Sequence, residues 1–333
     1  MSLLLPTHCE LCPRRCGANR RAGASGYCGA DDRLIVARAA LHFWEEPPIS
    51  GQDGSGTIFF SCCPMRCVYC QNALIAHGMI GKEITFERLI EIMFELKTQG
   101  ALNINMVTPT HYTPILVAAI TKAKDMGLDI PIVWNTSGYE TPETIRTLSG
   151  VVDVFLNDFK YIDGADAERY SGAKDYPVVA FEALDAMLEV AGKPRFDECG
   201  GQKRLIGGVI VRHLMLPQSS DGKHGGLEAS ISVVKALWER YGDKVLYSIM
   251  NQYTPVLPDI AQKKKPFEKI DDSFAAGAKR IIERCPELTT RVSEKDYEAL
   301  LTFADEIGIP EYFWQTGQAS ADSFIPVFDN TGV

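Results

Sequence analysis

The sequence has no run of eighteen apolar residues, so no membrane-spanning helix is expected. The opening Met-Ser-Leu-Leu-Leu-Pro is too short for a signal peptide. Basic charge is in deficit as well. Lys and Arg number 34 against 43 Asp and Glu, a net charge of −9, which argues against nucleic acid as a main partner because phosphate binding needs basic surface. The balance leaves room for a local basic patch. These absences lead to the expectation of a cytoplasmic protein with neither nucleic acid nor membrane as partner. There is no internal repeat beyond an alternation of strand-like and helix-like patterns.

Cysteine, by contrast, is plentiful, with ten in 333 residues. In a reducing cytoplasm such usage suggests metal ligation rather than disulfides. Seven of the ten fall into two spaced groups, and Cys62, Cys199 and Cys285 are left for packing or surface. Hydrophobic content of 46% and charged content of 23% are those of an ordinary globular enzyme, and the length suits one large α/β domain with additions.

The organising stretch is Gly56-Thr-Ile-Phe-Phe-Ser-Cys-Cys63-Pro-Met-Arg-Cys67-Val-Tyr69-Cys70-Gln-Asn72. Residues 57–60 are β-branched or aromatic and read as a buried strand. The loop after it carries Cys63, Cys67 and Cys70 in a C-x3-C-x2-C spacing. Three soft ligands on one loop suit an iron–sulfur cluster, which needs thiolate at each iron. A four-iron cubane held by three cysteines keeps one iron open to a substrate or cofactor. Zinc normally takes four protein ligands, and Cys62, next to Cys63, points the other way in an extended loop.

At these residues the chain resembles the radical S-adenosylmethionine (radical SAM) enzymes, in particular the glycyl-radical-enzyme activases such as pyruvate formate-lyase activating enzymes. The likeness rests on Phe-Phe-Ser-x-Cys, the cysteine triad, Tyr69 before the last Cys and Asn72 beyond it. Most such sequences carry Gly where Cys62 stands. The resemblance implies a 4Fe–4S cluster on Cys63, Cys67 and Cys70, reductive cleavage of S-adenosylmethionine to a 5′-deoxyadenosyl radical, and hydrogen abstraction from a protein or peptide. It also implies a low-potential donor of flavodoxin or ferredoxin type and, for a true activase, a glycyl-radical enzyme as protein substrate. Alternatives are a radical SAM enzyme acting on a small molecule or another target, and an iron–sulfur or zinc protein of electron transfer or scaffolding without radical chemistry.

The other group is Cys9-x2-Cys12-x3-Cys16-x11-Cys28, set among glycines that allow tight turns around a metal. Four thiolates this close suggest a closed site for zinc or a second iron–sulfur cluster. Arg14, Arg15, Arg20 and Arg21 lie between them and read as a solvated face, or as a landing site for an acidic electron donor. Then comes Leu41-His-Phe-Trp-Glu-Glu-Pro-Pro-Ile-Ser-Gly, where Pro47 and Pro48 are expected to exclude helix. Glu45 and Glu46 read as loop solvation or as cover for the cluster mouth.

Beyond the loop, helical spacing over 85–99, 114–124, 142–148, 180–191 and 227–241 alternates with strand signals over 103–107, 130–134, 151–156, 205–216 and 245–250. Residues 195–204 and 218–226 read as polar, Gly-rich loops, and 261–283 as an insertion with a helix from Asp272. The last helix is expected over 296–307, followed by an aromatic cluster over 312–317. With the resemblance, this order gives the expected fold: α/β, a partial (β/α)6 TIM-like barrel of the radical SAM type with an N-terminal Cys-rich module. The expected divisions are 1–50 (module), 51–258 (core) and 259–333 (helical extension).

Ligands should then gather at the C-terminal strand ends. Thr108, with His111 nearby, ends one strand where activases usually hold Gly-Gly-Glu, a motif absent here; Thr108 is the candidate there for the amino group of S-adenosylmethionine. Asn135 and Ser137 resemble an activase Asp-Thr-Asn-Gly segment and suit ribose or carboxylate. Asp158 and Lys160 resemble the activase Asp-Leu-Lys and, two apart, face one side. Arg212 suits a carboxylate or substrate backbone, and Gln252 and Tyr253 stand where activases contact adenine. Tyr69 and Asn72 complete the cofactor-binding set.

Overall fold

A computed structural model of the chain describes residues 4–314 and 326–333. The expectations for residues 1–3 and for the aromatic cluster beyond Trp314 fall outside the described residues.

The strands are β1 (Leu34–His42), β2 (Ser55–Phe60), β3 (Lys82–Ile84), β4 (Ile104–Val107), β5 (Ile132–Thr136), β6 (Val154–Asp158), β7 (Arg195–Cys199), β8 (Gln202–Leu214), β9 (Leu246–Met250) and β10 (Tyr312–Phe313). The helices are α1 (Pro47–Ser50), α2 (Ala73–Ala76), α3 (Phe86–Thr98), α4 (Thr113–Asp125), α5 (Pro142–Arg146), α6 (Gly164–Ser171), α7 (Tyr176–Ala191), α8 (Gly226–Tyr241), α9 (Leu257–Ala261), α10 (Asp272–Arg284) and α11 (Glu294–Glu306).

These strands form one ten-stranded mixed sheet in the order β10-β9-β8-β6-β5-β4-β2-β1-β3, with β7 paired to β8 outside that path. This corrects the expected partial (β/α)6 barrel. The pairings from β2 through β4, β5, β6, β8 and β9 to β10 are parallel. The sheet then continues through β1 and β3, both antiparallel, and β7 adds a third antiparallel pairing. The physical reason is local. Residues 43–54 join β1 to β2 and hold only the four-residue α1, too short for a crossover, so β2 turns back antiparallel to β1.

The parallel strands are apolar because helices cover them. All six residues of β2 are buried, as are Ile104–Val107 and Ile132–Thr136. Helix α3 buries Leu89, Ile90, Ile92, Met93 and Leu96, and Thr85 caps it by accepting from the Arg88 N–H at 3.0 Å, as its sequence spacing predicts.

Three further expectations are corrected. Pro47 and Pro48 open the short α1 instead of excluding helix, since the first helical turn needs no N–H donors. Residues 195–204 form the β7–β8 hairpin rather than a loop. Gly200 and Gly201, at φ +59° and +78°, make the left-handed turn that joins the two strands. Arg20 is wholly buried rather than solvated. Its guanidinium donates to the Asp31 carbonyl at 2.8 and 3.0 Å and to the His111 carbonyl.

The C-terminal residues return to the sheet beside β1. Asn330 N–H donates to Ala37 O and Ala39 N–H to Thr331 O, while the Phe328 ring meets Phe59 edge-on. Among the described residues no helix is long and apolar enough to cross a membrane.

Candidate functional site

A cavity of about 240 Å³ opens where the parallel strands end. The loop after β2 contributes Cys63, Cys67, Tyr69, Cys70 and Asn72. Thr108 enters after β4, Asn135 from β5 with Ser137 just beyond it, Asp158 from the end of β6 with Lys160 just beyond it, and Arg212 from β8. Every residue expected at the cluster and cofactor site therefore faces one space. Gln252 and Tyr253 join them after β9, and Pro326 closes part of the rim. Asp158 and Arg212 are register partners on adjacent parallel strands, which is why their side chains meet.

The three thiols share a wall. Burial pushes Cys63 up to about 11, with the neighbouring Cys67 adding to it. Burial and then Cys67 and Cys63 push Cys70 up to about 12. Such groups stay protonated at neutral pH unless a cation takes the charge. The loop is fastened at Val68, whose N–H donates to Tyr170 O at 2.9 Å, and Ser171 Oγ donates to Cys67 Sγ at 3.1 Å. Asn72 Oδ1 is buried without a hydrogen-bond partner.

The N-terminal thiols also neighbour one another. Cys9 and Cys28 are buried, Cys12 is partly buried and Cys16 exposed. The face of Gly26 where a Cβ would stand lies 3.2 Å from Cys16 Sγ and 3.4 Å from Cys28 Sγ. Burial, then nearby thiols, push Cys12 up to about 12. Among the described residues, however, no group of three or more His, Cys, Asp or Glu side chains is disposed to hold a metal ion, in either cysteine group.

Arg212 is the electrostatic centre of the cavity. Nε donates to Asp158 Oδ1 at 2.8 Å, Nη1 to Glu45 Oε2 at 3.0 Å and Nη2 to Asn135 Oδ1 at 2.8 Å. Lys160 Nζ donates to Asp158 Oδ2 at 2.8 Å. Burial alone raises Asp158, but Arg212 and Lys160 more than offset it and hold the carboxyl below its ordinary range. Glu45 goes the other way, since burial outweighs the attraction of Arg212 and its pKa rises.

Several site residues were not legible beforehand. Glu45 comes from the segment after β1 and crosses to Arg212, accepting also from Asn105 Nδ2 at 3.1 Å. Its Glu-Glu-Pro-Pro context gave only the choice between solvation and mouth cover. Trp44 beside it lines the cavity while 50% exposed. Tyr161, Tyr176 and Ser171 lie behind the thiol wall. Tyr176 Oη donates to the carbonyls of Ser137 and Asp158, at 2.8 and 2.9 Å. His111, weighed as functional, is buried outside the cavity with Nε2 2.8 Å from Ser61 O.

Two backbone positions stand out. Thr108 has φ +57° and Cys62 φ +78°, both in the left-handed region. That conformation is uncommon without glycine, and for a β-branched residue it is strained.

No protein-family model matches the chain. It is 27% identical over 285 residues to an uncharacterised protein of Methanocaldococcus jannaschii, covering 82% of this chain and 75% of that one. It is 25% identical over 180 residues to a pyruvate formate-lyase-activating enzyme of Clostridium pasteurianum, covering 51% and 67%. A crystal structure of dihydrodipicolinate synthase aligns at 14% identity and a TM-score of 0.25, over 68% of this chain and 76% of that chain, a likeness too low to carry a fold argument. The chain is thus partially similar in sequence to a pyruvate formate-lyase-activating enzyme.

Proposed function

We propose that the chain is a radical SAM enzyme of activase-like type. The observation that carries this reading is the convergence of Cys63, Cys67 and Cys70 with Asn72, Asn135, Ser137, Asp158, Lys160 and Arg212 on one cavity. The partial similarity to the Clostridium activating enzyme supports it.

The donor set suits a 4Fe–4S cluster in its chemistry: three thiols on one wall, with a hydroxyl donor at Cys67 and an unpartnered Asn72 oxygen beside them. When bound, such a cluster supplies the low-potential electron that cleaves S-adenosylmethionine reductively. The residues of the chain do the rest. Cys63, Cys67 and Cys70 are the ligands. Lys160 and Arg212 balance the carboxylates around them and offer positive charge toward a ligand carboxylate. Asn135 and Ser137 offer polar groups to a ribose, and Tyr69 packs beside the ligand. The surrounding wall keeps water from a reactive carbon centre.

The hydrogen donor proposed is a protein or peptide, a glycine Cα–H if the chain is a true activase, and the electron source a flavodoxin- or ferredoxin-type protein. The N-terminal cysteines are proposed as a second site, for zinc or another cluster.

The test is anaerobic reconstitution, followed by iron and sulfide analysis and assay of 5′-deoxyadenosine from S-adenosylmethionine and dithionite. Product formed by the wild-type protein and lost in Cys67→Ala supports the reading. A fully loaded protein that yields none overturns it.

A further inference from the structure

Behind the thiol wall runs a chain of buried hydroxyls. The Tyr69 and Tyr161 hydroxyls are 2.9 Å apart, Tyr161 and Ser171 are 2.8 Å apart, and Ser171 Oγ stands 3.1 Å from Cys67 Sγ. All four side chains are buried. A hydroxyl carries one proton. The Tyr161 hydroxyl donates to that of Tyr69 and the Ser171 hydroxyl donates to Cys67 Sγ, with the Tyr161 oxygen held against Ser171 Oγ. The chain starts on the cavity wall at Tyr69 and ends on the central thiol of the loop.

Ser171 is held from outside. It is the last residue of α6, and Gly172 beyond it turns at φ +55°. Arg14, between Cys12 and Cys16, donates to the Ser171 carbonyl at 2.8 Å, to the Gly172 carbonyl, and to the Pro64 carbonyl of the cysteine loop at 3.1 Å. One guanidinium thus ties the N-terminal module to both the end of α6 and the loop.

We propose that Ser171 is a positioning residue that sets the electron affinity of the group held by Cys67, with Tyr161 orienting its hydroxyl and Arg14 fixing its backbone. The inference rests on the cluster reading above. A hydrogen bond donated to a ligand sulfur stabilises the more negative, reduced state, and such bonds are among the factors that set cluster potentials. Here the donor is a side chain, so it can be removed without touching the loop.

The experiment is potentiometry of the reconstituted protein, followed by the electron-paramagnetic-resonance signal of the reduced cluster. Cys9→Ser/Cys12→Ser in every sample keeps the N-terminal group from contributing a signal. Ser171→Ala is expected to load the same iron and to show a lower midpoint. A tenfold fall in the reduced-to-oxidised ratio at fixed potential corresponds to ~59 mV for one electron. Ser171→Thr, which keeps the hydroxyl, should restore the wild-type value, and Tyr161→Phe should shift it part of the way.

In the metal-free protein, mass-mapped alkylation gives an independent reading. Ser171 Oγ stands against Cys67 Sγ, so Ser171→Ala should change the rate at which Cys67 is labelled relative to Cys70. An unchanged midpoint in loaded Ser171→Ala, or unchanged relative labelling, overturns the inference while leaving the cluster reading intact. A wild-type protein that takes up no cluster sinks the reading instead, and the labelling comparison still decides whether Ser171 acts on Cys67. If Ser171→Ala does not fold, Tyr161→Phe carries both measurements.

Discussion

Glu45 and Arg212 meet at 3.0 Å across 167 positions of chain, one from the segment leaving the antiparallel edge of the sheet, the other from its parallel centre. Asp158 and Glu46 flank the same guanidinium, at 2.8 and 3.9 Å. Arg212 is thus the cation that three cavity carboxyls share, with Lys160 also on Asp158.

Arg212→Gln is therefore expected to be severe, because it leaves Glu45 and Glu46 without a cation and Asp158 with Lys160 alone. The expected loss is about 3–5 kcal/mol, read from urea unfolding. Glu45→Gln leaves Arg212 with Asp158 and Asn135 and should lose roughly 1–2 kcal/mol, for one imperfect hydrogen bond. Equal losses in the two variants would show that Arg212 is not the centre of the cluster.

Thr108 is the second point of leverage. Its φ of +57° stores strain at the cavity wall, of order 1–3 kcal/mol for such positions. Thr108→Gly should release most of it, offset by the added freedom of the unfolded chain. The expected net gain is about 1 kcal/mol in unfolding free energy. A loss of stability would mean that the threonine side chain contributes more than its backbone costs.

The adjacent cysteines at 62 and 63 should separate cleanly in a metal assay. Cys62 is buried at φ +78°, the conformation glycine prefers, and its Sγ lies 3.2 Å from the Gly78 position where a Cβ would stand. Cys62→Gly is expected to keep iron loading at wild-type level. Cys63→Ala should lose the cluster on the β2 loop. Iron content after anaerobic reconstitution checks both, and loss of iron in Cys62→Gly would make Cys62 a ligand.

Acid should destabilise the protein through two buried histidines. Burial, with Arg20 adding to it, pushes His111 down to about 3; burial pushes His213 down to about 4. Both titrate near 6.5 when unfolded. Between these values the unfolded chain binds protons that the folded chain refuses, so stability falls as pH drops below about 6.5. The slope is about 1.4 kcal/mol per pH unit for each histidine. Urea midpoints at about pH 7.5, 6.5 and 5.5 measure it, and His213→Asn should remove about 1.4 kcal/mol per pH unit of the slope if its hydrogen bonds to Phe159 O and Ser230 are retained.

What could be read beforehand was what local pattern encodes. Thr85 and the apolar spacing after it give α3, and the β-branched run before Cys63 gives β2. Residues at strand ends, from Thr108 to Arg212, reach the cavity because alternation along parallel strands leaves them little choice. What escaped depends on contacts between distant segments. The β1–β2 pairing makes the sheet mixed, and nothing in 34–42 announces that partner. Glu45 is ordinary in its own neighbourhood and acquires a role only because β1 delivers it to Arg212. Arg20 sits in a basic stretch that reads as solvated, yet distant carbonyls bury it. Ser171 ends a short helix with little apolar periodicity, and its importance comes from a sulfur 104 positions away.

Trp44 stands at the rim with half its surface in water, one position from the carboxylate that engages Arg212. Trp134, by contrast, is sealed inside the sheet. The protein thus carries its own optical probe: with Trp238 and Trp314 replaced by Phe, the solvent-sensitive part of the indole emission would come mainly from the cavity entrance. A titration that changes its colour would report a ligand arriving before any chemistry has begun.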